Sequence, residues 1–219
     1  MEWFKTAAIL AGGKSTRMGF DKSMLKIEGV FLSEVLISNL KKIFDDIVVV
    51  TNNKKFYQKF DVRIVSDQLT GGGPLNGFHA GLKASLSYYT FFIACDMPFL
   101  SIPYIKYMMN LLKEFKADAA VSEKEGYIEP FQAFYSKDII ENIEESYKKG
   151  NLMIKEVLKN LKVIKIGEEK LKEFSPKFEI FSNLNRPEDI MKLNSIAKDE
   201  GEYNGLILPY DSRLNLRKN

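Results

Sequence analysis

The residues best placed to do chemistry lie between Leu10 and Lys22, in the stretch L-A-G-G-K-S-T-R-M-G-F-D-K. The apolar run Thr6–Leu10 feeds into it, so a buried strand ends in a glycine-rich turn. Gly12, Gly13 and Gly19 carry no Cβ and let the backbone bend close to a ligand. Successive N–H groups in such a turn form a concavity that holds anions. Arg17 can grip a phosphate through paired N–H bonds, and Lys22 adds a point charge. The chemistry expected here is a polyphosphate cradle for a nucleoside triphosphate. A second reactive position is Asp96, which ends the apolar run Thr90–Cys95 and precedes Met97-Pro98. A carboxylate at the tip of a central strand can hold a hard cation, and Mg²⁺ takes one or two carboxylates together with phosphate oxygens. The plainer alternatives are a strand-to-helix turn with surface charges for 10–22, and a turn or cap aspartate for Asp96.

Two familiar phosphate loops fail on spacing. Gly13-Lys14-Ser15 looks like the end of G-x-x-x-x-G-K-[ST], but that pattern needs glycine where Ala8 stands. The dinucleotide fingerprint G-x-G-x-x-G would need glycines at 15 and 18 after Gly13, and Ser15 and Met18 stand there.

The elements that must position these residues alternate. Strands are expected at 7–10, 47–50, 62–65, 90–96, 117–121 and 163–166, with a last one at 178–181. Helices are expected at 31–44, 54–60, 75–86, 103–115, 137–147 and 153–161, and from Pro187 to about 197. Met24–Gly29 reads as a short apolar stretch closed by a turn. The segment 126–135 reads as strand pieces interrupted by Pro130, breaking the alternation and placing one antiparallel strand in the sheet. The fold class is α/β: a single three-layer, Rossmann-like domain with a mostly parallel twisted sheet, at least one antiparallel strand, and helices on both faces. It spans 1–197, with 198–219 as a C-terminal extension in which Gly205–Pro209 could dock. Ligands of such sheets lie beyond the carboxyl ends of strands. That singles out the 10–22 loop, Asn52 and Asp67 along one edge. The loop Gly71–Gly77 precedes a helix whose small residues Gly77, Ala80, Gly81 and Ala84 permit close packing or a ligand on its first turn. His79, in that helix, is expected to be a partly buried packing residue, and Cys95 a small buried apolar one.

Composition narrows the class. The chain has 219 residues, 45% hydrophobic and 28% charged, as in an ordinary soluble globular protein. A net charge of +3 is too small to argue for nucleic acid. One cysteine and one histidine exclude an internal disulfide and a thiol or histidine metal cluster. No leader and no membrane-length apolar run is seen, so no membrane partner is expected and the default location is the cytoplasm.

A triphosphate cradle and a metal carboxylate leave hydrolysis, kinase chemistry and nucleotidyl transfer open. The sequence offers no obvious nucleophile–base pair, so chemistry needing no protein nucleophile fits best. In nucleotidyl transfer a substrate phosphate attacks the nucleotide α-phosphate and pyrophosphate leaves. Positioning and charge neutralisation then account for most of the rate.

From about residue 5 to 197 the chain resembles the nucleotidyltransferases that build molybdenum-cofactor dinucleotides, and most resembles their MobA-type guanylyltransferase branch. The likeness rests on separated pieces in the same order: the 10–22 loop, Asn52, Ser66-Asp67, Gly73–Gly77, Cys95–Pro98 and Asn183–Asp189. L-A-G-G at 10–13, where the related cytidylyltransferases usually carry L-A-A-G, together with Asp21-Lys22 and Gly73-Pro74-Leu75, looks like the guanine branch. The resemblance implies GTP contacts at Leu10, Ala11, Gly12, Gly13, Lys22, Asn52, Asp67 and Asp96. It implies Mg²⁺ on Asp96; together with the charge that Arg17 and Lys22 would offset on the triphosphate, this gives Arg17, Lys22 and Asp96 as the expected catalytic residues. The pterin substrate would lie near Gly77, Asn183 and Asn185. The substrates would be GTP and molybdenum-bearing molybdopterin, with transient contacts to molybdenum-cofactor biosynthesis or acceptor proteins. The alternatives are a cytidylyl- or sugar-phosphate nucleotidylyltransferase, and a non-catalytic nucleotide-binding carrier or sensor. Residues 198–219 extend past the family's usual final helix.

Overall fold

A computed structural model describes residues 2–12, 26–27, 29–67, 69, 73–184 and 206–207, the side chains of Ile27, Leu206 and Ile207 excepted. Within these residues the strands are β1 (Thr6–Leu10), β2 (Lys26–Ile27), β3 (Val30–Phe31), β4 (Asp46–Val50), β5 (Arg63–Val65), β6 (Tyr89–Ala94), β7 (Leu100–Ser101), β8 (Ala119–Lys124), β9 (Tyr127–Ser136), β10 (Val163–Ile166) and β11 (Leu206–Ile207). The helices are α1 (Leu32–Leu40), α2 (Lys54–Tyr57), α3 (Pro74–Ala84), α4 (Ile102–Phe115), α5 (Ile140–Lys148), α6 (Ile154–Leu158) and α7 (Glu168–Lys172).

Seven strands form one sheet in the order β10-β8-β9-β6-β1-β4-β5. β6, β1, β4 and β5 run parallel to one another, and β10 runs parallel to β8. β9 is antiparallel to both of its neighbours, β6 and β8. The fold class and its antiparallel strand are therefore as the sequence implies. The strand pleat divides the core. Ala7 and Ile9 pack with α1 and α4 residues such as Leu36, Leu40, Ile105 and Met108. Ala8 and Leu10 point the other way, toward Leu75, Phe78 and Leu82 of α3 and Ile154 and Val157 of α6. Each β1 side chain is thus buried on one face or the other, which is why the strand reads as an unbroken apolar run.

The opposite end of the sheet is fastened by charge. Asp46 accepts from Arg63 Nε at 2.7 Å and Nη2 at 2.5 Å, and from the Thr6 hydroxyl at 2.6 Å, joining β1, β4 and β5. Helix α4 starts where Ser101 Oγ accepts from Tyr104 N at 3.4 Å with proline in the first turn.

Several elements differ from their sequence reading. Residues 127–136 form one continuous strand rather than interrupted pieces. Pro130 lies inside it, but the register with β8 shifts there, so the residue lacking an N–H falls in a bulge. The strand expected at 178–181 is a 3₁₀ turn, Glu179–Phe181. Its cause is local: Phe178 has φ of +59°, Ser175 Oγ donates to Glu179 Oε2 at 2.6 Å, and Lys177 N donates to the same oxygen at 3.2 Å. These side-chain bonds offer the backbone an alternative to a ladder. The 153–161 helix stops at Leu158, the 31–44 helix at Leu40, and α7 has no counterpart in the sequence reading. Within the tail, Leu206–Ile207 pairs antiparallel with β7. The helix expected from Pro187 lies outside the described residues.

Candidate active site

The site begins where the parallel strands end. Each residue just past its strand is tied to the end of the next strand. Ala11 N donates to Val50 O at 2.9 Å, Thr51 N to Val65 O at 2.9 Å, and Cys95 N to Leu10 O at 3.1 Å. The register pairs Leu10 with both Val50 and Ala94, so Gly12, Asn52 and Asp96 stand two residues beyond three adjacent positions. The first turn of the glycine-rich stretch and the tip of β6 therefore lie side by side. Thr51 strengthens the edge: its buried hydroxyl donates to Ala11 O at 3.1 Å and accepts from Asn53 N at 3.0 Å. Ser66 Oγ donates to Thr51 O at 3.2 Å, which brings the Ser66-Asp67 pair alongside.

Exposure along this edge is graded. Ala11 is half-buried, and Gly12, Asn52 and Asp67 are exposed. Asp96 is only 9% exposed. Partial burial of its carboxyl end raises the pKa of Asp67, although the residue as a whole is exposed. Cys95 packs against the core but is only half-buried, less so than the buried apolar position expected of it.

Beyond Asp96 the site is closed by segments from elsewhere in the chain. Leu184 N donates to Asp96 O at 2.8 Å, setting the exposed Asn183 beside the strand tip. The β9 bulge supplies a second carboxylate, Glu129. Burial pushes its pKa up, the Phe131 N–H at 3.1 Å partly offsets this, and the charge on Asp96 pushes it further up. Two neighbouring carboxylates form a donor set suited to a hard cation. Among the described residues no group of three or more His, Cys, Asp or Glu could hold a metal. Asp96 and Glu129 alone would leave most of a divalent ion's shell to oxygens from substrate phosphates and water.

Helix α3 underlies the site. Gly73 has φ of +106°, and a Cβ there would also stand 3.3 Å from Leu152 Cβ. Asn76 Nδ2 donates to Leu69 O at 2.9 Å, bridging the loop to the helix. A Cβ on Gly77 would meet Leu10 Cδ1 at 3.0 Å, so packing against β1 alone accounts for that glycine. His79 is buried and its Nε2 lies 2.9 Å from Glu144 Oε1, a packing and pairing role rather than one at the strand ends.

The structure brings Leu10, Ala11, Gly12, Asn52, Asp67, Asp96, Gly77 and Asn183 to one edge or directly beneath it. Gly13, Arg17, Lys22 and Asn185 lie outside the described residues. Sequence reasoning missed Thr51 and Glu129. The first was hidden in a turn; the second had one signal, a carboxylate immediately before a proline inside a strand.

Comparison with known proteins identifies the scaffold. The family model described as the MobA-like NTP transferase domain matches residues 7–164. The chain belongs to the MobA-like NTP transferase family. Within that family, the molybdenum cofactor guanylyltransferase of Syntrophotalea carbinolica is 41% identical over 189 residues, covering 86% of this chain and 90% of that one. A probable molybdenum cofactor guanylyltransferase of Peptoclostridium acidaminophilum is 38% identical over 202 residues, covering 90% and 91%. The crystal structure of molybdopterin-guanine dinucleotide biosynthesis protein A from Archaeoglobus fulgidus superposes with a TM-score of 0.76 at 25% identity, covering 89% and 99%. This MobA-like chain is a nucleotidyltransferase, an enzyme class that generally uses a divalent metal. Among its described residues no helix is long and apolar enough to cross a membrane.

Proposed function

We propose that this chain transfers GMP from GTP to the terminal phosphate of molybdenum-bearing molybdopterin, releasing pyrophosphate, in the cytoplasm. The observation that carries the reading is the placement of Asp96 directly beside Ala11 and Gly12, through the Cys95 N to Leu10 O bond of 3.1 Å. A triphosphate lying on the first turn would present its α-phosphate toward that carboxylate.

Each residue then has a task. Backbone N–H groups at Gly12 and Gly13 face the phosphates, and Arg17 and Lys22 offset their charge; Gly13, Arg17 and Lys22 are assigned from sequence alone. Asn52 and Asp67, exposed beyond β4 and β5, face the nucleoside end. Asp96, with Glu129 beside it, would hold Mg²⁺. Bound there, Mg²⁺ supplies charge neutralisation at the phosphates and Lewis-acid polarisation of the reacting phosphorus. Asn183, with Asn185, borders the opposite, acceptor side, while Gly77 lies beneath β1 against Leu10. No protein nucleophile is required, because the acceptor phosphate is itself the nucleophile and pyrophosphate the leaving group. The rate arises from holding both phosphates in line in a fixed electrostatic frame.

The test is a pyrophosphate-release assay with molybdenum-bearing molybdopterin and Mg²⁺, run in parallel with GTP, CTP, ATP and UTP. Release with GTP well above the other three is expected. Release with CTP above GTP would move the enzyme to the cytidylyl branch, and tight GTP binding without release would make it a carrier or sensor.

A further inference from the structure

The acceptor side of the site is held together by one side chain. Gln132 sits in the β9 bulge with φ of +49°, a left-handed backbone that a long side chain rarely adopts. It is fully buried. Its Nε2 donates to Phe99 O at 2.8 Å and also to Ile180 O. Its Oε1 has no hydrogen-bond partner among the described residues. Phe99 is three residues past Asp96, and Ile180 is three residues before Asn183. These are the two segments that Leu184 N and Asp96 O join directly, at 2.8 Å.

An amide-bearing side chain meets these demands without burying a charge. Two carbonyl oxygens face one point, and both can only accept. A carboxylate would repel them, and a hydroxyl could donate to one. The amide NH₂ carries two donors. The rest of the bulge is also fixed by side chains: Tyr135 OH donates to Pro130 O at 2.7 Å, and Phe131 N to Glu129 Oε1 at 3.1 Å. Residues 129–132 are therefore rigidly placed, and Gln132 transmits that placement to the loop after Asp96 and to the Asn183 segment. A left-handed residue kept at such a spot is strain maintained beside a working site.

We propose that Gln132 is a positioning residue for the acceptor substrate: it fixes Phe99, in the loop after Asp96, and the Ile180–Leu184 segment relative to each other, and among the described residues makes no hydrogen bond to the Ala11 and Thr51 turns on the nucleotide side. The acceptor assignment rests on the function proposed above; the tie itself does not.

Two variants separate side chain from backbone. Gln132→Gly relaxes the left-handed conformation but removes both donors. Gln132→Asn keeps the amide and tolerates that conformation, but is one carbon shorter. In Gln132→Gly, amide hydrogen exchange at Leu184 is expected to quicken about tenfold, the equivalent of one hydrogen bond, with no change at Ala11 or Thr51. In steady-state assays KM for the pterin acceptor is expected to rise about tenfold or more, with the GTP dissociation constant measured without divalent metal unchanged and Gln132→Asn recovering part of the loss. Unchanged exchange at Leu184, or equal losses for both substrates, would overturn the proposal. If the wild type showed no turnover at all, the functional reading would fail, and the exchange data would still decide whether Gln132 ties the two segments.

Discussion

The two halves of the site are built differently. On the nucleotide side, the ends of β1, β4 and β5 are joined by backbone bonds that continue the parallel ladder, such as Ala11 N to Val50 O and Thr51 N to Val65 O, both 2.9 Å. On the acceptor side the ladder is interrupted. There the bulge in β9, the loop after Asp96 and the turn at Glu179–Phe181 meet through side chains: Gln132, Tyr135, Glu129 and Ser175. In the proposed function the parallel half is a regular frame that would hold the phosphates common to all nucleoside triphosphates. The irregular half is shaped residue by residue, which suits the proposed recognition of one particular acceptor.

Asp96 stands at the boundary, and its loss should hit both halves at once. Asp96→Asn is expected to cut pyrophosphate release by about 10²–10³-fold or more, the range seen when a transition-state electrostatic group is removed. Its Tm should hold within a few degrees, since the Asp96 carbonyl that receives Leu184 N is kept. A stopped pyrophosphate assay alongside differential scanning fluorimetry reads both.

Gly81 lies beneath both halves, and its variant shows what non-selective damage looks like. A Cβ there would stand 2.6 Å from Phe92 Cε1 and 3.2 Å from Ala8 Cβ. Gly81→Ala should destabilise the fold by about 1–3 kcal/mol through overpacking, measured by urea unfolding. Both substrates should be affected equally.

Thr51→Val sharpens the contrast from the nucleotide side. It keeps the shape but removes the donor to Ala11 O and the acceptor for Asn53 N. A cost of about 1 kcal/mol is expected, appearing as a raised KM for GTP with the acceptor KM unchanged. A shift confined to the acceptor would erase the division drawn here.

The smallest effect is a pH dependence on the acceptor side. Burial raises the folded-state pKa of Glu129, so the folded state holds its proton more tightly than the unfolded chain does. Glu129 therefore detracts from stability as pH rises from the ordinary glutamate range through its own raised value, and contributes no penalty below that range. In metal-free buffer Glu129→Gln should be slightly more stable than the wild type at neutral pH. The difference should vanish in acid. Thermal melts across pH would show it; a constant difference at all pH values would contradict the assigned cause.

The same division governs what the sequence makes legible. β1, β4 and β6 announce themselves as apolar runs because both faces are covered, and the positions just after them follow from the parallel topology alone. Ala11, Gly12, Asn52 and Asp96 were reachable by that route. Glu129 and Gln132 were not. Their importance depends on a register shift at Pro130 and on carbonyls of Phe99 and Ile180, which are far away in the sequence. The turn at Glu179–Phe181 was misread as a strand for a related reason. Phe-Glu-Ile-Phe carries strand-like residue types, while the Ser175–Glu179 hydrogen bond that bends it is a side-chain event that hydrophobic pattern does not encode.

One measurement addresses the convergence of the two halves most directly: a crystal grown with GTP and Mn²⁺ in place of Mg²⁺, with the metal located by anomalous scattering. The expected result is a Mn²⁺ ion bound by the Asp96 carboxylate and by a phosphate oxygen of a GTP whose triphosphate lies on the Ala11–Gly12 turn. A triphosphate bound on that turn with its metal away from Asp96, or GTP bound elsewhere on the protein, would contradict it.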